Sequence, residues 1–354
     1  MERTEIKMEA LDWLRFVLNP KTDMPTVSDW AALYAFADKQ KILGICNPTK
    51  YDVRVGIEVL SHWIADIEQI KNTSLLLNRR IEELCNILEG AGFSCCILKG
   101  QGNAEMYHEP LMRMPGDIDV WIDADEKIIQ KFVKDRFPEA AESFKHIKFP
   151  VFDDVPVDVH VTPLKFHCPK YHKRLQRWIS SNKKEQFEHR IHLTGIERDI
   201  CVPTARFNAV YLLGHMLIHF YDEGIGLRHL VDYFYVLKNF AASDEERDEI
   251  VGVLKSLGML RFARAVMRIE KEVLGLPEQY VLVAPDKKLG ESFLKDVLDG
   301  GNFGKYSQRY RGKTGFYWKG MVEAKRVLAL SNMAPCEASF CLLRKMKTAV
   351  KHVF

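Results

Sequence analysis

Through the first ninety residues the apolar positions recur every three to four places, the period of an amphipathic helix. "SDWAALYAFADKQKILG" (28–44) opens on a Ser or Asp cap and closes on Gly44. "VRVGIEVLSHWIADIEQIKNTSLLLNRRIEELCNILEGAG" (53–92) predicts one long helix that packs along a whole side of its domain and ends at Gly90 and Gly92. The period then changes. "FSCCIL" (93–98) is fully apolar, as a buried strand is, and stops at "KGQG". A short helix over "NAEMYH" and a loop with Pro110 and Pro115 lead to a second strand, "DIDVWI", and then to a helix over "DADEKIIQKFVKDRF". "FKHIKFPVFDDVPVDVHVTP" (144–163) reads as two strands around the turn "FDDVP". From about residue 168 the pattern is helical again, with helices at 205–224 and 227–240 joined by "GIG", at roughly 246–257 and 259–274, and at about 335–351. The Gly-rich stretch 300–320 predicts a loop.

These elements predict an α+β fold: a small mixed-sheet core at 93–165, braced by an N-terminal helical region (1–92) and followed by an all-helical C-terminal region (166–354) whose helices close the other wall of a cleft.

Strand alternation decides what the core can do. Strand interiors are depleted in Asp, yet "RMPGDIDVWID" sets Asp117 and Asp119 on one face, with Ile118, Val120 and Ile122 on the other. In "VPVDVHVTP" the same rule groups Asp158 with His160, opposite Val157, Val159 and Val161. The apolar faces must pack on helices, so the acids point to the opposite, open side. If the strands are neighbours, three carboxylates converge and repel, and a divalent cation removes that repulsion. Oxygen-only ligands suit Mg²⁺, which prefers one or two carboxylates plus substrate phosphates. Two such ions can clamp the attacking and leaving oxygens of a displacement at phosphorus.

Bulk composition narrows the partners. Apolar residues make up 47% of the 354, enough for a sizeable core, and 51 basic against 48 acidic side chains leave a net charge of +3. Such a balance exerts no whole-molecule pull on nucleic acid. The N-terminus has neither an apolar signal core nor a small-residue cleavage site, and no apolar run approaches the ~20 residues of a spanning helix. A cytoplasmic protein without a membrane partner is expected. Its eight cysteines, with no CxxC or CxxH spacing, then read as reduced thiols, a disulfide framework being improbable.

"LKG", Arg113 with "GDIDVWI", "VDVH" and "GIGLRHLVDYFYVL" together resemble the uncharacterised nucleotidyltransferase family of the DNA-polymerase-β-like superfamily, from about residue 75 to the C-terminus. The resemblance implies transfer of a nucleoside monophosphate from an NTP, ATP foremost, to an acceptor with release of pyrophosphate. It implies Asp117, Asp119 and Asp158 as ligands of Mg²⁺ or Mn²⁺, with Asp158 also accepting the acceptor's proton. The superfamily's Gly-Ser or Gly-Gly turn is replaced here by "KGQG" (Lys99, Gly100, Gln101, Gly102), farther from Asp117 than is common. Gly100 still lets backbone N–H groups approach a phosphate, and Lys99 and Arg113 are the side-chain candidates for the β- and γ-phosphates. Lys99 reads equally well as a lysine snorkelling from a strand end. His160, beside Asp158 on that face, either binds substrate, orients the aspartate or ligates a metal, or is a hydrogen-bonded histidine that shapes the pocket wall, the reading favoured here.

The acceptor stays open among a small molecule, a protein hydroxyl and RNA; the alternative in another class is a catalytically silent nucleotide-binding or interaction module. Bland readings outweigh chemical ones elsewhere. His215 and His219 have the i, i+4 spacing of zinc ligands but lack the HExxH glutamate, so helix-contact histidines are favoured. Arg228 and Asp232 form a natural intrahelical pair. The basic aromatic stretch 305–319 could stack on a polyanion such as RNA, though a solvated loop is the commoner case. Cys95 and Cys96 read as small buried hydrophobes.

Overall fold

The computed structural model describes residues 2–307, 309 and 316–351. The chain builds two compact units. One contains Leu43–Lys165 and Gln176–Tyr211, and the other contains Met1–Ile42, Phe166–Leu175 and Leu212–Phe354.

The first of these carries a four-stranded mixed sheet in the order β1-β2-β4-β3. β1 (Cys95–Leu98) is antiparallel to β2 (Ile118–Ile122), β2 is parallel to β4 (Val157–His160), and β3 (Ile147–Lys148) is antiparallel to β4. Register assigns each face. Ile97, Val120, Val159 and Ile147 form one row across all four strands. That apolar row belongs to a core shared with Leu77, Ile81, Leu84 and Leu88 of α3 (Ile57–Gly90) and with Ile129, Phe132 and Val133 of α5 (Glu126–Arg136). α3 supplies its four at i, i+4, i+7 and i+11 spacing, the stripe that lays a helix along a sheet. Between β1 and β2 the short α4 (Gly100–Ala104) starts earlier than the helix predicted over "NAEMYH" and takes in Gly100, Gln101 and Gly102 of "KGQG".

The opposite face carries Leu98, Asp119, Asp158 and Lys148 in one row. Cys96, Trp121 and His160 share the next. The sequence places this side in the open, but Asp119, Asp158 and His160 are buried. Part of the reason is aromatic cover: Trp121 meets Phe187 of α6 (Pro169–Glu188) edge-on at 4.8 Å and stacks on Phe207 of α7 (Ala205–Asp222) at 6.2 Å.

Where the sequence predicts only helix, β5 (Arg190–His192) and β6 (Asp199–Cys201) form an antiparallel hairpin. Each strand is three residues long, too short to impose a period on the sequence.

The second unit is helical: α1 (Glu2–Leu18), α2 (Trp30–Gln40), the start of α6 and end of α7, then α8 (Leu227–Phe240), α9 (Asp244–Ser256), α10 (Leu260–Glu272), α11 (Lys287–Gly300), α12 (Phe316–Leu330) and α13 (Pro335–Lys351). The predicted loop at 300–320 is corrected at its end, where Phe316 already begins α12; residues 308 and 310–315 of that stretch lie outside the described residues. Buried Arg326 anchors α12 through Asp296 of α11, with guanidinium Nη2 2.6 Å from Oδ2. A second correction concerns the thiols. Cys168 and Cys336 are joined in a disulfide, with Cα atoms 5.9 Å apart, although spacing 168 residues wide gives the sequence no sign of a pair. The other six cysteines lie outside the disulfide and are buried. Among the described residues no helix is long and apolar enough to cross a membrane.

Candidate active site

Asp119 and Asp158 are register partners on neighbouring parallel strands, so their side chains stand side by side on one face. Each carboxylate has two cationic or ring-nitrogen neighbours. Asp119 Oδ1 lies 2.7 Å from His160 Nε2, and Oδ2 lies 2.9 Å from Lys99 Nζ. Burial alone would push the Asp119 carboxyl up, but the Lys99 ammonium and the His160 contact override it and hold the group well below the usual carboxylate range. An ionised carboxylate only accepts, so His160 Nε2 carries the shared proton. His160 therefore fixes the orientation of Asp119.

Asp158 is held from the edge strand. Lys148 Nζ lies 2.6 Å from Oδ1, and His146 Nε2 lies 3.3 Å from Oδ2. The lysine approaches as an ion pair and lacks the alignment of a hydrogen bond. Burial first, with His160 and Lys148 adding to it against Asp158, lowers the basicity of His146. Neither Lys148 nor His146 is singled out by the sequence. The alternation in "KHIKF" aims both at one face, but only strand pairing shows that the face is that of Asp158.

Tyr211 on α7 is a third such residue. Burial, then the charge of Asp119, raises its hydroxyl well above the ordinary value, so it stands neutral beside the acids. Its signal in the sequence is slight, one tyrosine in an apolar helix.

The remaining candidates are placed as follows. Asp117 immediately precedes β2 and is exposed. Arg113 is buried, and its Nη1 donates to the Met114 carbonyl oxygen at 3.3 Å. Lys99 holds a left-handed φ of 53°, a backbone state that costs a non-glycine of order 1–3 kcal/mol. Gly100 follows at φ +43°, and a Cβ there would meet only the Asp117 carbonyl oxygen, at 3.8 Å. Gln101 faces away from the carboxylates, its Nε2 donating to Asn78 Oδ1 of α3 at 2.8 Å. The "KGQG" segment is thus not a free turn but the start of α4, with Lys99 at its N-cap, and it offers backbone at Gly100 and an ammonium at Lys99.

The other histidines and acids fall outside this cluster. His215 and His219 sit one turn apart on α7 with ring centroids 4.4 Å apart and ring planes tilted by 53°. Arg228 and Asp232 lie one turn apart on α8, Asp232 buried. Among the described residues, His167, Asp222 and Cys341 bring three ligand atoms within 4.8 Å, a grouping the sequence does not reveal. There Arg344 Nη2 approaches Asp222 Oδ1 to 2.5 Å, and burial first, then Asp222, pushes the Cys341 thiol up to about 12. That chemistry suits an ion-paired anchor for α13 better than a cation site.

A family model described as uncharacterised nucleotidyltransferase matches residues 26–275. No curated protein matches the chain. Among solved structures, an antigenic nucleotidyltransferase-like protein from Paracoccidioides brasiliensis matches with 13% identity over 53% of this chain and 88% of its own, at a TM-score of 0.28.

Proposed function

The chain belongs to the uncharacterised nucleotidyltransferase family, and from that premise we propose that it transfers a nucleoside monophosphate from an NTP, ATP foremost, to an acceptor nucleophile, releasing pyrophosphate in a Mg²⁺-dependent reaction. The observation that carries this reading is the pairing of Asp119 with Asp158 on adjacent strands of one polar sheet face. The donor set fits the ion. Asp119 is ionised, its ligating atoms are hard oxygens, and Asp117 stands two residues upstream at the exposed strand end.

Asp117, Asp119 and Asp158 would hold Mg²⁺ or Mn²⁺. The bound ion supplies charge neutralisation at the phosphates and fixes their orientation. The chain's own residues do the rest. His160 keeps Asp119 in one rotamer and in its charged form, so the site is preorganised. Lys99 carries an ammonium at the turn, where Gly100 leaves the backbone open to a phosphate oxygen. Asp158 is the base for the acceptor hydroxyl, giving its proton a carboxylate already desolvated by burial.

The test is incubation of the protein with α-labelled NTPs, Mg²⁺ or Mn²⁺ and extract of the source cells. Label should enter an acceptor, and Asp119→Asn should abolish it; undiminished labelling in that variant overturns the assignment. Mass spectrometry of the labelled fraction then separates protein, RNA and small-molecule acceptors. One observation favours a second reading, the silent nucleotide-binding module. Gln101 is committed to α3, so the start of α4 presents no side-chain hydroxyl or amide to a phosphate. Calorimetric binding of Mg²⁺–ATP without pyrophosphate release would support that module.

A further inference from the structure

We infer that Lys148 is the built-in counter-cation of Asp158, and that a divalent ion engages this carboxylate only by displacing the lysine, which thereby sets the metal affinity of the site. The inference rests on the proposed function above for the identity of the competing ion.

The geometry distinguishes Lys148 from the other cation in the cluster. Asp158 has a side chain only 4% exposed, and Lys148 Nζ sits 2.6 Å from its Oδ1. The Lys148 side chain itself is 47% exposed, against 15% for Lys99. Lys148 projects from a two-residue strand at the sheet edge, so its ammonium can swing into water by rotating a flexible stem. Lys99 is held by a strained backbone with its side chain largely buried beside the Asp119 carboxylate, whereas both carboxylates alike have a histidine neighbour. One pair is built to open and the other to stay.

The lysine also answers a question of charge. Two carboxylates in register repel when charged, and each has its own ammonium, Lys99 for Asp119 and Lys148 for Asp158. A divalent cation replaces the second of these with a stronger charge at the same oxygen atoms. An ammonium and a metal ion cannot share that oxygen without repulsion, so the metal must compete with the ion pair. An ion pair with one half-exposed partner is worth little, so the competition is modest.

The experiment titrates Mn²⁺ into the full-length protein in the presence of a non-hydrolysable ATP analogue, reading free Mn²⁺ by electron paramagnetic resonance. Lys148→Met should bind Mn²⁺ about tenfold more tightly than wild type, equivalent to about 1.4 kcal/mol. Lys148→Arg, which keeps the charge, should match wild type. A purely structural role for the lysine would leave affinity unchanged or weaken it, and either result with Lys148→Met overturns the inference. Lys148→Gln repeats the test should the methionine variant lose its cooperative melt. The two readings fail separately. Mn²⁺ binding that Asp119→Asn abolishes but Lys148→Met does not tighten sinks this inference alone, whereas no nucleotide-dependent Mn²⁺ binding in wild type or any variant sinks the nucleotidyl-transfer reading with it.

Discussion

Replacing Asp119 with Asn removes one charge and almost no volume, so it isolates what that charge does for the fold. At 2.9 Å from Lys99 Nζ, the gross attraction at an effective dielectric of 20 is about 6 kcal/mol. Against it stands the desolvation of a carboxylate only 7% exposed, several kcal/mol for a buried ion. The balance favours the charge, because the Asp119 carboxyl is lowered despite its burial. The Asn variant leaves Lys99 facing a neutral amide. Losing one partner of a fully buried pair costs about 3–5 kcal/mol; with Lys99 still 15% exposed to water, the expected loss is nearer about 2–3 kcal/mol.

The sign of the pH dependence follows from the direction of the shift. A carboxyl lowered on folding contributes stability that is full above its unfolded value near 3.9 and is lost only as pH falls through the folded value. The deficit of Asp119→Asn should therefore persist undiminished from pH 7 to pH 5. Urea unfolding followed by tryptophan fluorescence at both pH values measures it, and hydrogen exchange of the 117–122 peptide localises it to β2. A variant as stable as wild type, or a deficit that has faded by pH 5, refutes the electrostatic account.

Two further predictions concern the helical unit. Burial, with Arg228 and His219 adding to it, pushes His229 down to about 3, so its imidazole is neutral in the fold and protonates first in the unfolded chain. Stability should then fall as pH drops from about 6.5 toward 3; since the residue is only half-buried, we expect about 1 kcal/mol between pH 6.5 and 5, flattened in His229→Phe, and an unchanged slope in that variant counts against it. The Cys168–Cys336 disulfide closes a span of 168 residues, so Cys336→Ser should lower stability by about 2–4 kcal/mol. A non-reducing peptide map should recover the two peptides linked, and free thiols at both positions would remove the basis for the loss.

Much of the fold is legible because local periodicity carries it. α8 and α13 start and stop where the helical pattern of the sequence puts them, and alternation alone assigns the two faces of β2 and β4. α11 has a usable signal, Leu289, Phe293 and Val297 at i, i+4 and i+8 behind the capping Asp286, but Gly290 interrupts it. That glycine answers to packing. A Cβ there would run into the Arg268 side chain. What alternation cannot supply is register between strands distant in sequence, since pairing is set by contacts that leave no mark on either segment. The acids are therefore visible in the sequence, while Lys148 and His146 are not. They enter only when β3 is laid antiparallel on β4 with Lys148 opposite Asp158. The disulfide is hidden for the same reason.

The same register ties the chemistry to the core. Val120 and Val159 are fully buried and sit directly between the two ends of the acid-bearing segments, Asp119 before Val120 and Asp158 before Val159. A slip of one residue between β2 and β4 would reverse a strand's faces, sending a carboxylate into the apolar row and a valine toward Lys99. Burying an unpaired carboxylate among Ile97, Ile147 and the α3 stripe is far more costly than any gain from alternative pairing. The hydrophobic row on one side thus enforces the alignment of Asp119 with Asp158 on the other, and the ammonium groups of Lys99 and Lys148 make that alignment tolerable. Mutations that loosen the apolar row should consequently disturb the carboxylate pair even though they touch neither residue of it.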